Sequence, residues 1–341
     1  MVVMSQVSFA TRSVLNMWLK VKLNRDLPLP TSRVISNMPL PRERVKIGAV
    51  QWDAQPVGQV QQWSQRIQRF FEQAADDHCH LLVFPEYLPL SLLGSIMPPS
   101  NAVQTLTDDT IRDLLRSLAP PIYRHWYRWM SAMSRQYRLT TVAGSALMVD
   151  HGRLLNVTVT FDQSGTESMR QAKWHPLVDE QRWGVVPGPI AAPQVMLPWG
   201  LSSAVCNDAT YYETFRMAQA QGARLLAVPI ADPEARYTLG KARRGCFSQV
   251  QDVPMVGVVA AATGRLFGLR LTGKAGIYVP SAMSADGSGV LAESLHPVGE
   301  SFVSAVVSLP ELDRVQREHR AQFPVPPGEF LDALYQFGED G

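Results

Sequence analysis

From Arg44 onward, short apolar runs alternate with stretches whose apolar residues recur every three or four positions, the patterns of strands and amphipathic helices respectively. Val45–Gln51 predicts a strand, Gln59–His78 a helix carrying Val60, Trp63, Ile67, Phe70, Phe71 and Ala74 on one face, and Leu81–Phe84 a strand running into Pro85-Glu86. Strand, helix, strand favours parallel pairing. Ile111–Leu118 and Ile122–Tyr137 predict two more helices, and Leu139–Met148 with Leu154–Phe161 a hairpin around Asp150-His151-Gly152-Arg153. Pro193–Pro198 and Leu201–Cys206 predict another hairpin around Trp199-Gly200, and Tyr211–Gln221 a helix stopped by Gly222. Arg224–Ile230 is then a strand, Tyr237–Gln251 a helix and Met255–Ala262 a buried strand. Lys274–Pro280 and Val290–Glu293 are strands about Ala285-Asp286-Gly287-Ser288, and Ser301–Leu309 is the last strand. Most runs are apolar on both faces, and one twisted sheet does not comfortably hold so many strands. The expected fold class is therefore α/β, a four-layer α-β-β-α sandwich with helices outside two sheets.

Residues 1–44 differ in character. Met1–Ile35 sets Arg12, Lys20, Lys22, Arg25 and Arg33 against Asp26, and Leu27-Pro28-Leu29-Pro30 and Met38-Pro39-Leu40-Pro41 read as linker. Val14, Leu15, Trp18, Leu19 and Leu23 can line one face of a short basic helix. That face suits a membrane surface, a targeting peptide or a subunit contact, although most such faces are buried on their own domain or a sister subunit. No apolar stretch reaches the roughly 20 residues of a membrane span. The chain divides into this arm, a catalytic domain over 45–310, and a C-terminal helix and tail over 311–341 expected to serve oligomer contacts.

Composition narrows the partners. With 46% hydrophobic and 18% charged residues and a formal charge of +2, the chain can bury one large core but has no basic stripe for nucleic acid. Cys79, Cys206 and Cys246 are odd in number and widely spaced, which indicates neither a disulfide framework nor a zinc knuckle and points to a reducing, cytoplasmic compartment. Asp77-His78-Cys79-His80 lacks metal-ligand spacing. No glycine-rich phosphate loop occurs either, so no metal or cofactor is expected.

The chemistry lies at predicted strand ends. Cys206 closes the run Ala204-Val205 before a polar turn, Glu86 follows Val83-Phe84-Pro85, and Lys173 follows Gln171-Ala172. Strand carboxyl ends are where side chains from separate segments converge in open α/β folds. A thiol of ordinary pKa, about 8.5, needs a base to become a nucleophile, and Glu86 can be that base. An ammonium from Lys173 and the backbone N–H of Asn207 can stabilise an oxyanion. Order and chemistry together suggest attack on an amide through a thioester, with Glu86 later passing its proton to the leaving amine and activating water. Cys246 lies on an apolar helical face and reads as packing; Asp208 and Glu213 read as holding the turn and capping the next helix.

Lys173 is followed seven positions on by Glu180, and Cys206 two and seven positions on by Asp208 and Glu213. With Pro85-Glu86, these segments resemble the core motifs of the nitrilase, or carbon–nitrogen hydrolase, superfamily. His175-Pro-x-x-x-Glu180-Gln-Arg-Trp183-Gly184-Val-x-Pro187-Gly188 is similar to an amidohydrolase-like branch sometimes fused to an acetyltransferase domain; no acetyltransferase domain is expected within these 341 residues. The resemblance implies Glu86 as base, Lys173 as oxyanion stabiliser, Cys206 as nucleophile, Glu180 as a second acid steering Lys173, and a homodimer or larger homo-oligomer. The chain departs from the family at Asn207, usually aromatic, and at Tyr212, often proline. Thr263 stands where the family carries asparagine and Ala275 where it carries serine, and Tyr237–Val253 lacks the usual Arg-Ala-x-Glu-Asn. Those positions shape substrate binding more than bond breaking. The expected activity is hydrolysis of a linear non-peptide amide of a small molecule. A nitrilase using the same triad and a non-catalytic scaffold are the alternatives. Loops Leu88–Asn101 and Ala231–Thr238 are expected to line the pocket.

Overall fold

A computed structural model describes residues 43–95 and 107–323. The predicted arm, but for its last two residues, and the tail from 324 lie outside the described residues.

Among the described residues, twelve strands fall into two halves. In the first, β12 (Ser301–Ser308), β1 (Arg44–Asp53), β2 (Leu81–Val83), β3 (Thr140–Asp150), β4 (Arg153–Phe161) and β5 (Glu167–Ala172) are neighbours in that order. In the second the order is β6 (Leu201–Ser203), β7 (Leu225–Ile230), β8 (Val256–Leu266), β10 (Gly276–Tyr278) and β11 (Val290–Glu293), with β9 (Leu269–Leu271) folded back on β8. Gln51–Asp53 of β1 pairs in parallel with Ala261–Thr263 of β8, which joins the halves at one corner. Thr263 pins that corner, its hydroxyl donating to the Trp52 and Gly299 carbonyls at 3.3 and 3.1 Å.

Seven helices of the described residues lie around the strands: α1 (Val60–Asp76), α2 (Asp108–Tyr137), α3 (Val178–Arg182), α4 (Tyr212–Ala220), α5 (Leu239–Arg243), α6 (Cys246–Asp252) and α7 (Leu309–Gln322). Among the described residues, none is long and apolar enough to cross a membrane.

The core divides into three clusters, one per interface of a four-layer sandwich. Alternate residues of each strand supply two of them. Val45, Ile47 and Ala49 of β1 meet Leu225 and Ala227 of β7 and Val256, Val258 and Ala260 of β8 between the sheets. Val50 and Trp52 turn outward under Trp63, Ile67 and Phe71 of α1 and Trp126 and Met130 of α2. On the other flank, Leu226 and Val228 pack beneath Phe215 of α4 and Val250 of α6. Each fully buried aliphatic side chain contributes about 1.5–3 kcal/mol. Leu309 and Leu312 of α7 join the inter-sheet cluster.

Three elements differ from expectation. The two helices predicted over 111–137 are one, α2, running through Pro120 and Pro121. The prolines remove two N–H donors, but Ile111, Leu115, Leu118, Ile122, Trp126 and Met130 share one buried stripe across them, and that burial keeps the axis continuous. Pro193–Pro198 makes a single bridge, Met196 to Leu201, and β6 pairs in parallel with β7 instead of forming the expected hairpin. The helix predicted over 237–251 is broken into α5 and α6 at Gly245, whose φ of +62° is left-handed.

Candidate active site

Glu86, Lys173 and Cys206 each stand just past a strand end, and Glu180 lies in α3. β2 continues through Phe84, whose N–H donates to the Val142 carbonyl at 2.9 Å, and the chain then turns at Tyr87 with φ +58°. Between these Glu86 points inward, 1% exposed. β5 ends before Lys173, whose N–H donates to the Asn156 carbonyl and whose carbonyl accepts from Gly188, both at 2.8 Å. Strand β6 stops at Ser203 and not at Cys206 as expected, although the Ala204 N–H still donates to β7 at Ala227 (3.0 Å). Cys206 then opens a 3-10 turn, Cys206–Thr210, at a left-handed φ of +49°. Such a conformation costs a non-glycine residue about 1–3 kcal/mol.

Asp208 offsets that cost. Fully buried, its carboxylate accepts the N–H groups of Val205 (3.3 Å), Trp174 (3.1 Å) and His175 (2.8 Å), with the His175 Nδ1 at 2.9 Å. Asn207 Nδ2 donates to the His175 carbonyl at 3.1 Å, and the His175 ring stacks on Tyr211, centroids 3.9 Å apart. The cysteine turn is thus clasped to the segment that follows Lys173. Asp208 holds the turn as expected but reaches further, across the two halves.

The Lys173 ammonium lies between two carboxylates, 2.9 Å from Glu86 Oε1 and 2.7 Å from Glu180 Oε2, and is itself 1% exposed. Asn156 Nδ2 donates to both acids, at 2.8 and 3.2 Å. The Tyr87 hydroxyl donates to Glu180, and the Leu177 N–H does so at 2.6 Å. Neither Asn156 nor Tyr87 was singled out from sequence. Asn156 had a signal, a lone amide inside the apolar run Leu154-Leu155-Asn156-Val157; Tyr87, one of many aromatics, had none.

Burial raises Glu86 to about 7, helped by the Glu180 charge and opposed by Lys173 and by hydrogen bonds from Lys173 and Cys206. Burial and then Glu86 push the Cys206 thiol well above its ordinary value, against Lys173 and a backbone hydrogen bond from Ala231. Burial alone would discharge Lys173, but Glu86, Cys206 and Glu180 outweigh it and move its pKa above the ordinary lysine value. The resting site therefore pairs a thiol with a carboxyl that changes charge near neutrality, beside a permanent ammonium.

Cys206 and Asn207 open onto a cavity of about 380 Å³ that is also lined by Asp232, Glu234, Tyr237 and Lys274. Glu86, Lys173 and Glu180 line a recess of about 20 Å³ that shares Leu177 and Pro233 with it. The loop 231–238 thus lines the cavity as expected; Leu88–Ser95 is a buried 3-10 helix, and the rest of that predicted loop lies outside the described residues. Ala275 sits fully buried in the inter-sheet core and is among the lining residues of neither the cavity nor the recess. Cys79 and Cys246 are buried, and Cys246, in the first turn of α6, packs on the outer core while also edging the cavity. Among the described residues no group of three or more His, Cys, Asp or Glu could hold a metal.

Residues 46–313 match the carbon–nitrogen hydrolase family model. A probable hydrolase of Bacillus subtilis, YhcX, is 23% identical over 286 residues, which covers 81% of this chain; the chain spans about half, 52%, of that relative's length. An amidase from Nesterenkonia sp. AN1 is 19% identical with a TM-score of 0.58, covering 85% of this chain and all of the amidase. Nit3 of Saccharomyces cerevisiae, a nitrilase-superfamily member, is 16% identical with a TM-score of 0.62, covering 86% of this chain and 99% of Nit3. The chain belongs to the carbon–nitrogen hydrolase family, a hydrolase built on the nitrilase-superfamily fold.

Proposed function

We propose that the protein cleaves the C–N bond of a small-molecule amide through a thioester on Cys206, with Glu86 as base and Lys173 as oxyanion donor. The observation that carries this reading is the convergence of a buried carboxylate, a buried ammonium at 2.9 Å from it and a strained thiol hydrogen-bonded to the same carboxylate. Glu86 takes the thiol proton as sulfur attacks the amide carbon. The carbonyl pair moves onto oxygen, where Lys173 Nζ and the Asn207 N–H, a first-turn donor without an intrahelical partner, meet the charge. As the C–S bond stays and the C–N bond breaks, Glu86 returns the proton to the leaving nitrogen. Water then gives a proton to Glu86 and its oxygen to the thioester carbon, releasing acid and regenerating the thiol. Glu180 and Tyr87 hold Lys173 and touch neither bond.

The Nesterenkonia amidase, in one of its structures, carries the acetamide moiety of fluoroacetamide on its active-site cysteine; thiol chemistry on this fold supports the same role for Cys206. Intact-mass measurement after incubation with a panel of short amides, each paired with its nitrile, tests the reading. Amide-dependent acylation that disappears in Cys206→Ala, with turnover at least about a thousandfold lower, is expected. Full activity in that variant would place the nucleophile elsewhere, and turnover of nitriles alone would replace the amidase reading by a nitrilase one.

A further inference from the structure

The continuity of α2 through Pro120 and Pro121 has an electrostatic result. As two separate helices its arginines would fall on unrelated faces; one axis sets them in register. Arg116, Arg124, Arg128 and Arg135 are all exposed, and at about 100° per residue they share about 120° of the circumference along about 28 Å of helix. Leu114–Tyr137 carries no Asp or Glu. The acids of α2 stand in its first two turns, where Asp109 takes Arg112 at 2.8 Å.

Among the described residues, none of these four arginines has an ion-pair or hydrogen-bond partner. Acids beside the helix are committed elsewhere. Glu167 is held by Arg170 Nε and Nη2 at 2.8 Å each, Asp162 Oδ1 accepts the Ser164 and Thr166 N–H groups at 2.8 and 3.0 Å, and Glu72 accepts from Gln68 and Tyr137. Helix energetics do not ask for the row either. A cation in the last turn meets the negative end of the dipole, which accounts for Arg135 alone. Arg124 and Arg128 stand four apart, a like-charge spacing that weakens a helix.

A row this long without counter-ions fits a surface of repeated negative charge. Single-stranded nucleic acid would also need rings for base stacking. Trp126 and Trp129 are buried, Tyr123 and Tyr127 stack on each other with centroids 6.1 Å apart, and Tyr127 also meets Phe161, so none of these rings is free. The sequence of the arm adds a second, independent signal: Met1–Ile35 sets five basic residues against one acid and can line Val14, Trp18 and Leu19 on one apolar face. An apolar insertion joined to a basic patch holds a protein at an anionic bilayer, where either alone binds weakly.

We propose that the arginine row of α2 is a docking surface for the anionic headgroups of a membrane, against which the hydrolase lies as a peripheral protein. Cys206 chemistry does not enter this inference.

Co-sedimentation of the full chain with vesicles tests it. Wild type should bind phosphatidylcholine vesicles containing about one-third phosphatidylglycerol and leave pure phosphatidylcholine unbound. Binding should fall steeply between about 0.1 and about 0.5 M salt, as the screening length drops from about 10 Å to about half that. Each arginine at an anionic surface contributes about fivefold in affinity, so Arg124→Gln with Arg128→Gln and Arg135→Gln should weaken binding on the order of a hundredfold. Arg314→Gln with Arg317→Gln and Arg320→Gln removes the same net charge from exposed positions on α7 and should cost less than about fivefold. Both triple variants alter only exposed side chains and should keep the wild-type melting temperature. Equal losses in the two would reduce the effect to net charge, and undiminished binding in the α2 variant would assign it to the arm; either overturns the proposal. So does binding to neutral vesicles, absence of binding, or tighter binding to a single-stranded or duplex oligonucleotide than to vesicles at equal phosphate.

Discussion

Glu86 and Lys173 set each other's charge, and on the proposed mechanism both the rate and the stability of the protein depend on that pairing. Burial holds Glu86 near 7, so the base form is lost as pH falls below that value. The logarithm of kcat/KM for an amide should then rise by about one per pH unit up to about 7 and level off. A profile flat down to pH 5 would show that another group takes the thiol proton. Lys173→Met is predicted to do two things. It removes the proposed oxyanion donor, a loss that costs about 2.7–4 kcal/mol in the transition state. It also leaves Glu86 and Glu180, 1% and 3% exposed, without their cation, and an unpaired buried charge destabilises by about 3–5 kcal/mol. The sign with pH follows from which form is penalised. Burial raises the folded carboxyl above its unfolded value of about 4.3, so the deficit is small below that pH and grows as pH climbs past it. Urea unfolding of variant and wild type at pH 5 and pH 8 checks this, and an equal deficit at both pH values would contradict it.

At the scale of elements, the site depends on strands that end where backbone geometry forces a turn. In β3 the register slips between Val142 and Ser145, and Gly144 sits there with φ +74°; a Cβ at that position would come 2.1 Å from the Pro85 carbonyl oxygen. Ser145 meanwhile gives its N–H to that oxygen at 3.3 Å and accepts the Tyr87 N–H on its hydroxyl at 3.1 Å. Gly144→Ala must push Pro85-Glu86 away or twist β3. It is predicted to destabilise by more than about 1 kcal/mol and to lower kcat/KM by at least tenfold; a variant with unaltered melting and kinetics would mean that the bulge does not hold Glu86. Much of this site is visible in sequence because Glu86 and Cys206 each end a short apolar run, a local feature, whereas Lys173 follows the mostly polar Glu167–Ala172 and stands out by its place in the motif. Glu180 is visible by its offset from Lys173. The bulge at Gly144, the Asn156 amide bridging two carboxylates and the clasp of Asp208 on Trp174 and His175 depend on which strands become neighbours, a fact carried by no single segment. Tyr237–Gln251 shows the same limit: its composition suits one helix, yet the left-handed Gly245 breaks it and swings Lys241, Arg244 and Phe247 onto the cavity.

For the molecule as a whole, the two sheet halves divide the chemistry between them. Glu86 and Lys173 follow strands of the first half and Cys206 follows β6 of the second, so the proposed base and nucleophile meet only while the halves keep their mutual position. That position is set by the inter-sheet core, by the corner where β1 meets β8, and by the Asp208 clasp. Apart from α7, whose Leu309 and Leu312 join the inter-sheet core, the outer helices pack on one half or the other. Ile47 and Ile67 separate these roles cleanly: both are isoleucines with no exposed surface, but Ile47 of β1 lies between the sheets and Ile67 of α1 lies in the outer cluster. Truncating either to alanine should cost about 2–5 kcal/mol in unfolding free energy, which a domain of ordinary stability, about 5–15 kcal/mol, survives at 25 °C. Measured there, where both variants remain folded, Ile67→Ala should keep kcat/KM within about twofold of wild type. Ile47→Ala, whose cavity lets the sheets settle toward each other, should lose on the order of tenfold, since a misplacement near 1 Å at reacting atoms can cost about a hundredfold. Equal activity in the two variants at matched stability would mean that the clasp at Asp208 alone keeps sulfur and carboxylate together, and Asp208→Ala would then be the substitution that separates them.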